Sequence, residues 1–224
     1  MTQTAGVGRP RSNPKPTALA PYEEILDAAA ELFTTRGYAA TTTREIADAV
    51  GFRQGSLFHH FSRKEDILAE LLDRTLEPAT TFLQHLVTAT EAPDLKLFTL
   101  VRRDVLNLCS GSCNLGKLQL MPEARLDRFD DFWAKRARLW DGYRRLVQAA
   151  VLDGRLSDQD PRLATHLIFG LVESVIIWFE RTGDMSADLV ATEVATAGLR
   201  ALGSTGRRLN TLVSKSDALL ASLS

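Results

Sequence analysis

Between Thr42 and Lys64, polar and cationic side chains are packed at a spacing that could serve nucleic-acid chemistry. Gln54, Ser56, His59 and His60 are interspersed with Leu57, Phe58 and Phe61. Amide, hydroxyl and imidazole groups at the start of a short helix are hydrogen-bonding partners for base edges in a major groove. Arg44, Arg53, Arg63 and Lys64 flank them as candidate phosphate contacts. The same spacing also fits a solvated helical hairpin, and the residues alone leave both readings open. Catalysis finds no comparable pattern. The sequence has no phosphate-cradling glycine loop, no HExxH and no GxSxG, and His59, His60, His85 and His166 are scattered. Cys109 and Cys113 are too few for a disulfide scaffold and lack the spaced ligands of a zinc site, so no metal or cofactor is expected.

Two short helices must position these groups. Thr42 followed by Glu45 is a capping box that satisfies backbone N–H groups left over by a first helical turn. Ile46, Ala47 and Val50 give that helix a small apolar face, and Gly51 follows where a left-handed cap needs no Cβ. Phe52 to Gly55 make the turn, and Leu57, Phe58 and Phe61 recur at helical spacing after it. Upstream, Tyr22, Ile25, Leu26, Ala29, Leu32 and Phe33 mark a further amphipathic helix that Gly37 ends.

The stretch TTREIADAVGF-x(4)-LFHHF-x(2)-KEDIL resembles the tetracycline-repressor (TetR) family, over roughly Ile25 to Leu72. The resemblance implies an all-α protein with an N-terminal three-helix helix-turn-helix head, and a C-terminal bundle that forms a ligand pocket and a four-helix dimer interface. It implies that Thr42 and Thr43 sit against a phosphate, that Arg44 and Gln54 reach base edges, and that Ser56 and His59 contact bases or backbone. Lys64 would anchor the backbone, with Arg53 and Gly55 in the same DNA-binding set. His60 matches a position that is partly structural. Phe58 departs from the pattern, because the family usually has a Tyr there whose hydroxyl touches a phosphate.

With a net charge of −1, any affinity for DNA must come from a local patch. Residues 1–20 carry Arg9, Arg11 and Lys15 with no acidic residue, and too few large apolar groups to offset the entropy of ordering. They read as a disordered basic arm; Gly8-Arg9-Pro10-Arg11 suits insertion into a minor groove, and a plain solubilising tail fits the same residues. The expected divisions are a helix-turn-helix domain over residues 21–66, a ligand-binding and dimerisation domain over 67–203, and a tail or weak helix over 204–224. The sequence shows no apolar run of membrane-spanning length and no signal peptide, so a cytoplasmic location is expected.

Downstream, the pattern from Ile67 to Ala79 predicts a long connecting helix, with Pro78 at a kink or near its end. A helical stripe through Leu97, Val101, Val105 and Leu108 stops at Ser110-Gly111. A second long helix is predicted from about Glu123 to Asp153. Its Phe129, Phe132, Trp133, Trp140 and Tyr143, with Phe98, Met121 and Phe169, could line an apolar pocket or simply fill a core. Arg102, Arg103, Arg125 and Arg136 could anchor an acidic ligand or lie on solvated faces. Asp160-Pro161 opens a helix that is apolar nearly all round, so a partner surface is implied for Leu163, Leu167, Leu171, Val175 and Trp178. Ser186 caps the next helix, with Val190, Val194 and Ala197. The family resemblance turns these two helices into the interface of a homodimer. The expected function is a DNA-binding regulator, most simply a repressor released from a palindromic operator by a small hydrophobic or aromatic effector. A thiol redox sensor through Cys109 and Cys113, or control by a protein partner on the same scaffold, is the alternative; an enzyme fits less well.

Overall fold

A computed structural model describes residues 20–111 and 113–223. Arg9 and nearly all of the expected basic arm lie outside these residues. The described residues form nine α-helices and contain no strand: α1 Pro21–Arg36, α2 Thr43–Ala49, α3 Gln54–Phe58, α4 Lys64–Thr88, α5 Pro93–Cys109, α6 Asp130–Leu152, α7 Pro161–Trp178, α8 Ala187–Ala201 and α9 Gly206–Leu223. Three 3-10 turns, Leu115–Leu120, Pro122–Arg125 and Asp127–Phe129, join α5 to α6. The chain divides into two compact units between Leu71 and Leu72, within α4.

The first unit closes around Ile25, Leu26, Phe33, Ile46, Leu57 and Ile67, all fully buried. Its helix ends follow the local chemistry. The Thr42–Glu45 capping box is present in both directions, and hydrogen bonds from Thr42 hold the Glu45 carboxyl below its ordinary range. Gly51 takes the left-handed φ of 71° that only glycine adopts cheaply, while the N–H of Phe52 bonds back to the Ala47 carbonyl at 2.8 Å. That reversal lets α3 start three residues later.

In the second unit, α5 is the central helix and packs on α6, α7, α8 and α9. Its buried face includes Leu97, Phe98, Val101, Val105 and Leu108, and also Asp94, Arg102 and Asp104.

Four expectations change. The helix predicted from Glu123 begins only at Asp130: Pro122 starts a 3-10 turn, Met121 and Leu126 are extended, and the Trp133 indole N–H donates to the Ala124 carbonyl at 2.6 Å. Those contacts hold 122–129 as separate turns. Pro78 neither ends α4 nor lies near its end, since the helix runs ten residues further to Thr88. The tail is a full helix, α9, with Leu209, Leu212, Ser216 and Leu219 buried. Finally, α7 is long and apolar enough to cross a membrane by length and composition, contrary to the sequence expectation. Part of that helix is ordinary core, including Ile168, Val172 and Ile176.

Two buried charges staple α9 to α5. Arg208 makes two hydrogen bonds to the fully buried Asp94, at 2.5 and 2.7 Å. Arg102, 4% exposed, bonds Ser216 and, at 2.7 Å, Asp217, while also reaching Asp188 of α8 at 3.0 Å. Arg208→Ala is therefore expected to cost about 3 kcal/mol, because it strands a buried carboxylate. Arg155, 3.7 Å from Asp94, softens the loss. Urea unfolding checks this, and a loss under about 0.5 kcal/mol would mean that water reaches Asp94 unaided.

Candidate functional site

The exposed ends of α2 and α3 bring most of the expected DNA-binding residues together. The Gln54 side-chain amide donates to the Thr43 hydroxyl at 3.0 Å, tying the start of α3 to the start of α2. Around that bond, Arg44, Arg53, Gln54, Gly55, Phe58 and His59 are exposed, with Ser56 half-buried among them. Arg44 is 3.8 Å from Asp48 across one helical turn. A Cβ on Gly55 would meet nothing of the protein within 4 Å, so this part of α3 presents bare backbone outward. Leu57 and Phe61 supply the opposite, buried face. A five-residue helix anchored on one side thus displays amide, imidazole and guanidinium groups on the other.

Three expected contacts have internal partners. The Thr42 hydroxyl donates to Glu45 at 2.8 Å and accepts the Glu45 N–H, so its first role is the cap. Lys64 places its ammonium on the Tyr38 and Thr41 carbonyls at 2.8 and 2.7 Å and over the Tyr38 ring at 4.1 Å. It braces the loop that delivers Thr42. His60 is exposed and its ring lies 6.5 Å from that of Tyr22 at a steep angle.

Phe58 is 46% exposed, an uncommon place for a bare phenyl ring. Phe58→Tyr is expected to tighten DNA binding roughly fivefold, about 1 kcal/mol, by adding one hydroxyl donor at a position that faces solvent. Fluorescence anisotropy on one duplex measures it; unchanged affinity would place Phe58 away from the phosphates.

In the second unit, part of the aromatic set is contiguous. Tyr143 and Phe169 meet edge-to-face at 5.3 Å, Arg136 lies over Phe169 at 4.9 Å and over Trp133 at 5.6 Å, and Arg125 covers Trp133 at 3.8 Å. Phe132 packs against Trp133 at 4.9 Å. Arg136 is paired with Glu173, with its Nε 2.8 Å from the carboxylate. Phe98, Phe129, Phe132, Tyr143 and Phe169 are buried; Met121, Trp133 and Trp140 are half-buried and Arg125 is exposed. Trp140 stands apart against His166, with ring centres 5.1 Å apart. Arg102 belongs to the α9 staple and not to this group. Sequence reasoning missed Asp104, which accepts the Tyr143 hydroxyl at 2.9 Å. Burial pushes its carboxyl up to about 7, and burial likewise holds the Tyr143 phenol well above its ordinary range. The available signal was register: Val101, Asp104, Val105 and Leu108 share one helical stripe.

Three cavities of this unit are lined by other residues. One of about 560 Å³ lies between α4 and α6. One of about 430 Å³ lies beside Arg155 and Arg208, and one of about 290 Å³ lies beside Arg74 and Asn107.

On α7, Leu163, Leu167 and Trp178 are 61%, 50% and 44% exposed. Leu171 and Ala197 are also exposed and Val194 is half-buried. Val175 and Val190 were expected in the same interface, but both are buried in the protomer's own core because they face the neighbouring helices of this unit. Cys109 is buried and Cys113 half-buried, and desolvation raises the Cys109 thiol to about 11, which disfavours its thiolate. The described residues contain no cluster of His, Cys, Asp and Glu able to hold a metal ion.

The described residues are all-helical, and their first unit displays a helix-turn-helix, a fold class that DNA-binding regulators use. Residues 25–71 match the family described as bacterial regulatory proteins, tetR family. Residues 118–202 match the tetracyclin repressor-like C-terminal domain. The HTH-type transcriptional repressor KstR2 of Rhodococcus jostii (strain RHA1) is 30% identical over 187 residues, 81% of this chain and 90% of that protein. The crystal structure of Mycobacterium smegmatis AmtR superposes with a TM-score of 0.80 and 38% identity, covering 93% of this chain and 98% of that one. The TetR-family regulator PfmR of Thermus thermophilus follows at a TM-score of 0.71 and 26% identity, covering 79% and 97%. This chain belongs to the TetR family of bacterial transcriptional regulators.

Proposed function

We propose that the protein is a cytoplasmic homodimeric repressor that binds a palindromic operator through α2 and α3 and leaves it when a small hydrophobic or aromatic effector occupies the C-terminal unit, without turnover. The observation that carries the DNA contact is the Gln54–Thr43 hydrogen bond, which fixes an exposed amide where the two helix starts meet. Two copies related by a two-fold axis read two half-sites, so weak single-head affinity is multiplied. Release is population shift: an effector that prefers the conformation unfit for DNA by about 1.4 kcal/mol weakens binding tenfold.

Fluorescence anisotropy on a labelled fragment of the gene's own upstream DNA tests the reading. Tight, salt-sensitive binding is expected, and absence of binding to both upstream and unrelated duplexes would overturn it. Within that assay, Gln54→Ala is expected to relax base preference by about 1–3 kcal/mol at its contacted pair. Arg53→Ala is expected to weaken all duplexes alike and lower the salt slope by about 1. If Gln54→Ala weakened scrambled and specific DNA equally, Gln54 would not read bases.

A further inference from the structure

The cavity of about 560 Å³ between α4 and α6 falls in the size range of small-ligand sites, about 300–1,000 Å³. Its apolar side comes from Leu83 and Val87, one turn apart on α4, and from Leu146 on α6. Val87 is 73% exposed, although its helix neighbours Phe82 and Leu86 are buried. Arg138 and Arg145 stand on the same face of α6, seven residues and about 10 Å apart along the axis, and both line the groove.

The charge there is one-sided. Asp141 is the one carboxylate lining the groove, and it already accepts from both Arg144 and Arg145, each at 2.8 Å. Those bonds hold its carboxyl below the ordinary range. Arg138 has no acidic partner among the described residues. An apolar trough with an unmatched guanidinium fits a monocarboxylate bearing an aliphatic chain: the tail removes Leu83, Val87 and Leu146 from water, and the carboxylate pairs with Arg138.

A Cβ on Gly142 would come within 2.1 Å of the Leu83 Cδ2, so α4 and α6 approach closely there. The trough is lined by residues flanking that contact, Val87 on α4 and Arg138, Arg145 and Leu146 on α6. None of the expected aromatic pocket residues lines it.

We propose that this groove is a binding site for aliphatic monocarboxylates of medium chain length, with Arg138 as the carboxylate anchor. The proposal rests on the effector-responsive reading only in naming the ligand class, and its test needs no DNA. Isothermal titration of decanoate into the full-length protein is expected to show one saturable site per protomer. Arg138→Glu, Arg145→Glu is expected to lose at least tenfold in affinity, because it replaces attraction by repulsion at exposed positions. Decan-1-ol, lacking the charge, is expected to bind at least tenfold more weakly to the unaltered protein and equally to both proteins. A second variant, Val87→Asp, alters the apolar wall at an exposed position and is expected to weaken decanoate similarly. Decanoate binding that survives the double charge reversal, or no saturable binding to the unaltered protein below the micellar range, would overturn the proposal. DNA binding by ligand-free protein, measured separately, decides the regulator reading on its own.

Discussion

Leu167→Arg is expected to give a folded monomer whose operator affinity falls more than a hundredfold. Leu163, Leu167 and Leu171 recur every four residues on α7 and are 61%, 50% and 36% exposed, forming an apolar strip on a helix whose opposite side is core. Arginine is tolerated there in the isolated chain, since the position is half in solvent. In a two-fold interface the same charge enters twice, and each unpaired buried charge costs about 3–5 kcal/mol. Light scattering should report the monomer mass at micromolar concentration, circular dichroism an unchanged helix content, and anisotropy the lost affinity. A variant that stayed dimeric would move the interface off this strip; a monomer that kept full affinity would show that a single head suffices for the operator.

Stability is expected to fall between pH 4 and 7, and Asp104→Asn is expected to abolish that fall. The folded state holds the Asp104 carboxyl up to about 7, against an ordinary value of 3.8, because it is buried. In that interval the folded chain keeps a proton that the unfolded chain has released, so stability declines as pH rises and levels off above 7. The difference amounts to about 4 kcal/mol at 1.36 kcal/mol per unit. Asparagine still accepts the Tyr143 hydroxyl but carries no proton to lose. Urea unfolding at pH 5 and pH 8 should therefore show the unaltered protein losing about 2–3 kcal/mol more than the variant. Parallel losses would mean that Asp104 ionises equally well folded and unfolded.

The first unit was legible because its signals are local. The Thr42–Glu45 capping box and the left-handed Gly51 each act within a few residues, and both stand as the sequence implies. The partners of Lys64 were not legible, since the Tyr38 and Thr41 carbonyls lie 26 and 23 residues away. In the second unit, helix periodicity located the stretches but not their faces. Val175 and Val190 belong to apolar helices with two apolar sides, and only packing decides which side meets the protomer's own core. Arg102 read as a ligand anchor because its true partners, Ser216 and Asp217, lie on a segment whose Ser-rich composition obscured a helix. The break before Asp130 depends on a tryptophan reaching back nine residues to a carbonyl, which no periodicity encodes.

The α9 staple bears on how the polypeptide acquires its shape during synthesis. Asp94 and Arg102 find their mates 114 residues downstream, at Arg208 and Ser216. A ribosome elongating at about 5–20 residues per second therefore holds the central helix for several seconds or more with both charges unmatched. Until α9 emerges, those two sites favour hydration over burial. The second unit is thus bound to complete its core only after α9 has been made, whereas the head, built from contacts close in sequence, is free to close much earlier.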